Sequence, residues 1–246
     1  MSKLFPSMHS KPEKIQIISI LPCWLWVFVL LPMYMPFVGL GIWEQVDISS
    51  WLDIVYHVLN AVLMLVVISR YLQDDWFMFS ADPLSYLKHI ALTVGLMAAV
   101  EFVLLRTMYL IGCNMDYMLE GLPVVELSIA LTPRYLVITE PIWGTLSMVV
   151  CSPISICALF YCLGFSPVCY KKTWLAYVSV AVLTLIPPII DILWRSQADL
   201  TLSMYIVQLP IHLLACWSYQ KTDNVWTPLL SLTAANLLSS IVLLML

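Results

Sequence analysis

Six polar side chains stand in or beside long apolar stretches, and any chemistry has to be built from them: Glu101, Arg106, Glu140, Asp191, His212 and Asn236. Ionisable groups inside apolar segments are costly and usually turn to the protein interior, where they pair, hold a ligand or line a path. A carboxylate, a histidine and an amide around one cavity could activate water and polarise a carbonyl. Spacing also gives each residue a simpler role. Glu101 and Arg106 are five positions apart, about 500° around a helix, so they do not face each other as i,i+4 partners do. Each is expected to meet another helix, and Arg106 can also snorkel to the surface. Glu140 precedes Pro141 in T-E-P-I-W-G, the normal arrangement of a carboxylate and a first-turn proline at a helix start. Asp191 and Arg195 are one turn apart and suit an interfacial ion pair. His212 follows Pro210, and His57 has Asp53 one turn before it. Neither histidine lies in H-E-x-x-H or has a second histidine one turn away, so interhelical hydrogen bonding is expected rather than a metal. With no G-x-S-x-G, Walker A or dinucleotide fingerprint, no cofactor is expected either.

The elements that must position these residues are membrane helices. Hydrophobic residues make up 62% of the chain and charged residues 11%, against about 25% charged in soluble domains. The apolar runs are continuous rather than alternating, which favours helices over a β-barrel. The expected fold is an all-α, polytopic transmembrane bundle of about seven spans plus a surface or re-entrant helix. A polar tail, residues 1–14, precedes a single transmembrane domain, residues 15–246. Span one covers Ile15 to Trp43 and lacks a clear cleavage site, so it is expected to be retained. Span two is about Ile54 to Ser69. The polar stretch Arg70 to His89 comes next, and its W-F-M-F at Trp76 to Phe79 suggests an interfacial segment. Span three is Ile90 to about Cys113. The loop Asn114 to Arg134 has the mixed character of an amphipathic surface helix. Tyr135 to Tyr170 is too long for one crossing and is read as a surface or re-entrant piece followed by span four. Spans five to seven are Thr173 to Trp194, Leu200 to Tyr219 and Val225 to Leu246.

Charge sets an expected orientation. With the N-terminus in the cytoplasm, Lys3, Lys11, Lys14, Arg70, Lys88, Lys171, Lys172 and Lys221 fall inside, and only Arg134 and Arg195 fall outside, as the positive-inside rule requires. No run of basic residues marks a nucleic-acid or anionic-lipid patch. The seven cysteines are an odd number, and Cys151, Cys157, Cys162, Cys169 and Cys216 lie in or beside spans. They read as small apolar packing residues rather than a disulfide framework.

The chain from Ser152 onward resembles the CPBP family, also called Abi: intramembrane CAAX proteases and bacteriocin-processing proteins. The final helix carries the likeness. W-T-P-L-L-S-L-T-A-A-N, Trp226 to Asn236, follows the family pattern W-A-P-I-x-x-H-x-x-x-N in its Trp, Pro and Asn, with Leu232 at the histidine. S-P-I-S-I-C-A-L-F-Y, Ser152 to Tyr161, matches A-P-x-x-E-E-x-x-F-R at Pro153 and Phe160. Ile156 and Cys157 stand at the two glutamates and Tyr161 at the arginine. Thr173 to Trp194 has no histidine where the family's middle motif carries one. The resemblance therefore implies the family's helical frame without its charged catalytic groups.

Such a frame leads to the expectation of a non-catalytic CPBP-like protein, a scaffold, chaperone or regulatory subunit of another membrane protein. It would sit in the bilayer of the bacterial inner (plasma) membrane, with no nucleic-acid partner. Two other readings stay open. One is an intramembrane protease with a rearranged site built from Glu101, Glu140, His212 and Asn236. The other is a small-molecule carrier or permease subunit, for which proline-broken helices would be the sign.

Overall fold

The computed structural model describes residues 48–111, 147–164, 173–195 and 198–245, with single positions at 25 and 143. Every regular element among them is helical, and no strand occurs among the described residues. Helix α1 is Ile48–Ala81 and α2 is Pro83–Ile111. The short α3, Ser152–Leu159, is flanked by wide π-type turns at Ser147–Cys151 and Phe160–Gly164. Then come α4, Thr173–Arg195, α5, Ala198–Thr222, and α6, Trp226–Met245. The expected ends of spans five, six and seven agree with α4, α5 and α6 to within a few residues. Expected span one and the loop Asn114 to Arg134 lie outside the described residues.

The polar stretch after span two differs from its expectation as a separate segment. Helix α1 continues through it for 34 residues, about 51 Å at the helical rise. The reason is the buried stripe Ala61, Met64, Ile68, Leu72, Asp75 and Phe79, which keeps the 3.6-residue period across the apparent boundary. The helix stops only at Asp82. A residue before proline disfavours helical backbone, and Pro83 opens α2 at a position where its missing N–H costs nothing. Asp82 Oδ1 accepts the Ser85 N–H at 3.3 Å and so caps α2.

Helix α2 lies on α5 and α6, α1 packs on α3, and α4 packs along α5. The turns at Asp82 and at Asp223–Val225 meet at one end of the bundle, where Asp75 and Leu72 of α1 bond residues 224–226. The start of α4 is there as well, since Gln220 Nε2 donates to the Thr173 carbonyl at 3.2 Å. The core joins Met64, Ile68 and Tyr71 of α1, Cys157 to Cys162, Val180 of α4, Ala215 and Cys216 of α5, and Leu229 and Leu232 of α6. The outward faces are apolar too: Phe77, Phe102 and Val66 are 73%, 72% and 71% exposed. One described stretch, Pro83–Leu104, is long and apolar enough to cross a membrane, and only 17% of its most apolar window is buried. A soluble core helix of that composition would be mostly buried.

Candidate functional site

His212 is the expected site residue with the clearest surroundings. It is buried on α5, two positions after Pro210. Its Nδ1 is 2.9 Å from Thr184 Oγ1 of α4, and the Phe160 ring meets it edge-on at 5.0 Å. Thr184 Oγ1 also bonds the Val180 carbonyl one turn back, at 2.8 Å. A hydroxyl has one hydrogen. If it goes to Val180, Thr184 must accept from His212, so Nδ1 carries a proton. This is an interhelical hydrogen bond joining α4 to α5, as expected from the isolated position of this histidine in the sequence.

Of the other candidates, Glu101 and Asn236 are described, and neither is hydrogen-bonded to His212. Glu101 is half-buried on α2 and Asn236 half-buried on α6, and each has a partner. Arg106 and Asp191 lie on α2 and α4, but their side chains are outside the described residues, as is Glu140 altogether. Among the described residues, no three His, Cys, Asp or Glu side chains come together to hold a metal. Cys151, Cys157, Cys162 and Cys216 are buried free thiols, in keeping with their expected packing role.

The positions that the resemblance sets against charged groups are packed into or against the main core. Cys157, Tyr161 and Leu232 are buried in the main core, and Ile156 packs against it. Tyr161 stands between Tyr71 and Tyr219, with ring centroids 5.2 and 5.9 Å away. Phe160 fills the space beside His212.

The densest polar constellation lies at the end of the bundle, and no motif points to it. Asp75 is fully buried, and its Oδ2 accepts the Val225 N–H at 2.6 Å. Its backbone carbonyl accepts from Asn224 Nδ2 at 2.8 Å. Asn224 Oδ1 takes the Trp226 N–H at 2.9 Å, and the Asn224 carbonyl takes the Thr227 N–H and hydroxyl. Pro228 has no N–H, and Leu229 N–H returns to the Val225 carbonyl at 3.3 Å. Every donor that a helix start leaves open is thus met. The Trp226 indole donates to the Leu72 carbonyl at 2.8 Å and meets Trp76 edge-on at 5.1 Å. The turn itself needs Asp223 at φ 51°, a left-handed conformation that Asp tolerates better than most residues. Its N–H closes α5 on the Tyr219 carbonyl at 2.7 Å.

The sequence holds a partial signal for this clasp. Asp75 falls in register with Ile68, Leu72 and Phe79 on the buried stripe, and D-N-V-W-T-P reads as a helix start. Its chemistry is mechanical: a carboxylate at the positive end of α6 and an amide fix α6 to α1. Two clefts open beside it. One, of about 310 Å³, is lined by Ser85, Tyr86, Lys88, His89, Leu92, Lys221 and Thr222. The other, of about 490 Å³, is lined by Thr173, Tyr177, Trp217, Gln220 and Lys221. Glu101, His212 and Asn236, the expected site residues whose side chains are described, line neither cleft. No protein-family model, curated protein or solved structure matches the chain.

Proposed function

We propose that this chain is a multi-pass integral membrane protein of CPBP-like descent that has no protease site and serves as a scaffold, chaperone or regulatory subunit for another membrane protein. The observation that carries this reading is the packing of Cys157, Phe160, Tyr161 and Leu232 into one buried core with Val180 and Cys216. A hydrolytic site needs a base, a polarising group and room for water. Around these residues the structure has aromatic rings, one hydrogen-bonded histidine and, near Tyr161, the buried carboxylate of Asp75, which accepts the Val225 N–H.

The multi-pass reading draws on α2 and on two further properties. Helix α6 has 20 residues without a charge. Exposed Val55, Leu59, Val62 and Val66 make the outer face of α1 apolar, a face suited to lipid or to another helix. Seven spans, an N-terminus in the cytoplasm and a bacterial inner-membrane location complete the proposal.

The test is purification of the full chain in mild detergent, with its mass measured by light scattering and its partners identified by mass spectrometry. A multi-pass partner at fixed stoichiometry that survives dilution is expected. A monomer that cleaves membrane-embedded peptides, with activity lost in His212→Ala or Glu101→Gln, would overturn the reading in favour of a rearranged protease.

A further inference from the structure

The cleft between the start of α2 and the end of α5 gathers positive charge that the linear sequence disperses. Lys88 and Lys221 are 133 positions apart, yet both line it and both are exposed. Neither has an ion-pair partner among the described residues. Ser85 and Tyr86 add hydroxyl-bearing side chains to the wall, while the hydroxyl of Thr222 is bonded to the Ser218 carbonyl and to Thr227. The His89 ring stacks on Trp217 at 5.0 Å, and its buried Nε2 has no hydrogen-bond partner among the described residues. The acidic groups nearby are engaged: Asp82 caps α2, Asp75 holds α6, and Asp223 also has a partner. In a protein of net charge −4, the lining of this cleft thus carries two ammonium groups and no carboxylate, with the charged carboxylates of Asp75, Asp82 and Asp223 set behind it.

The apolar surroundings specify the ligand further. Leu92 forms one wall of the cleft and is 55% exposed, and the outer face of α2 continues with Leu96, Phe102 and Val103. Two ammonium groups and hydroxyls at the mouth, with an apolar track running along the helix, match a phosphate joined to an acyl chain. A soluble anion would use the first part and leave the second idle. We propose that this cleft binds a phosphate group, supplied by the headgroup of an anionic phospholipid at the membrane surface. The lipid source rests on the multi-pass reading; the phosphate site does not.

Native mass spectrometry of the full detergent-purified chain tests this, after equilibration with phosphatidylglycerol or with phosphatidylcholine of the same acyl length. Retention of phosphatidylglycerol above phosphatidylcholine is expected. K88Q/K221Q should weaken it about 30-fold, from two lysines near a phosphate surface. K88R/K221R should restore it. Inorganic phosphate forms a second arm: millimolar binding lost in K88Q/K221Q, with no lipid preference, assigns the same site to a free anion. Equal retention of the two lipids together with no phosphate binding overturns the proposal, as does a K88Q/K221Q protein that behaves like wild type. Alkaline carbonate extraction decides membrane integration separately. If the chain is extracted, the multi-pass reading fails and the phosphate arm alone judges the cleft.

Discussion

At the lysine-bearing end of the bundle, one oxygen of a buried carboxylate, an amide, an indole and three backbone N–H groups are hydrogen-bonded across about 150 positions of sequence. Farther along the same helices, Cys157, Phe160 and Leu232 pack in the main apolar core, and His212 has Thr184 as its interhelical bond. Both regions join helices distant in sequence, by different means. The first uses charge-assisted hydrogen bonds, which are strong when complete and costly when one partner is removed. The second uses close packing, which tolerates exchange of similar volumes. The described helices are thus fixed at one end mainly by polar groups and held elsewhere mainly by packing.

Breaking the clasp should therefore have the largest effect. Asp75→Ala removes the acceptor for Val225 N–H and leaves that donor buried. A loss of about 3 kcal/mol is expected, read as a lowered midpoint of denaturant unfolding in mixed micelles. Asp75→Asn keeps an acceptor oxygen and should recover more than half of it. An unchanged midpoint in Asp75→Ala would show that α6 starts without α1.

Removing Asn224 tests whether the clasp acts as a unit. Asn224→Ala should cost about 2 kcal/mol, from the lost turn and the bond to Asp75. The double variant with Asp75→Ala should cost clearly less than the sum, because the two residues share one structure. Strict additivity would mean that each holds α6 independently.

In the apolar middle the effects should shrink. Thr184→Val is close in volume and removes the hydroxyl facing His212, with an expected loss of about 1 kcal/mol. Cys157→Ala should cost a similar amount through lost packing. A loss above about 3 kcal/mol for Thr184→Val would mark His212 as part of a larger polar network than the described one. Asp223→Gly sits at the smallest end. Relief of a left-handed non-glycine residue should raise stability by about 0.5 kcal/mol, and a fall would show that the Asp223 side chain contributes to the turn.

These two regions also differ in how much of them is legible in the sequence. The packing role of the cysteines comes from their placement in apolar runs, and the hydrogen-bonding role of His212 from its isolation. The starts of α4 and α6 are marked by Lys171–Lys172 and by D-N-V-W-T-P, since charge and turn residues punctuate helices locally. The all-helical class comes from continuous apolar runs. The pairing within the clasp and the cleft with its two lysines are not legible, because Asp75 finds Val225 and Lys88 meets Lys221 only through tertiary packing. Arg70 to Ala81 resembles a break because average polarity rises there. The period of its buried residues, which does not change, is the better guide.

The central claim is that the middle of the bundle is a dry, packed core. Cys157 reports on it directly, because a thiol in a water-holding site reacts and one in a closed core does not. The measurement is the rate of alkylation at Cys157 in the bilayer-reconstituted chain, with a charged maleimide and with small, permeant N-ethylmaleimide, resolved by peptide mass spectrometry against the detergent-unfolded protein. Protection of at least about 100-fold against both reagents is expected, since labelling must wait for the core to open. Labelling by the charged reagent at close to the unfolded rate would place a water-filled cavity at Cys157 and contradict the account.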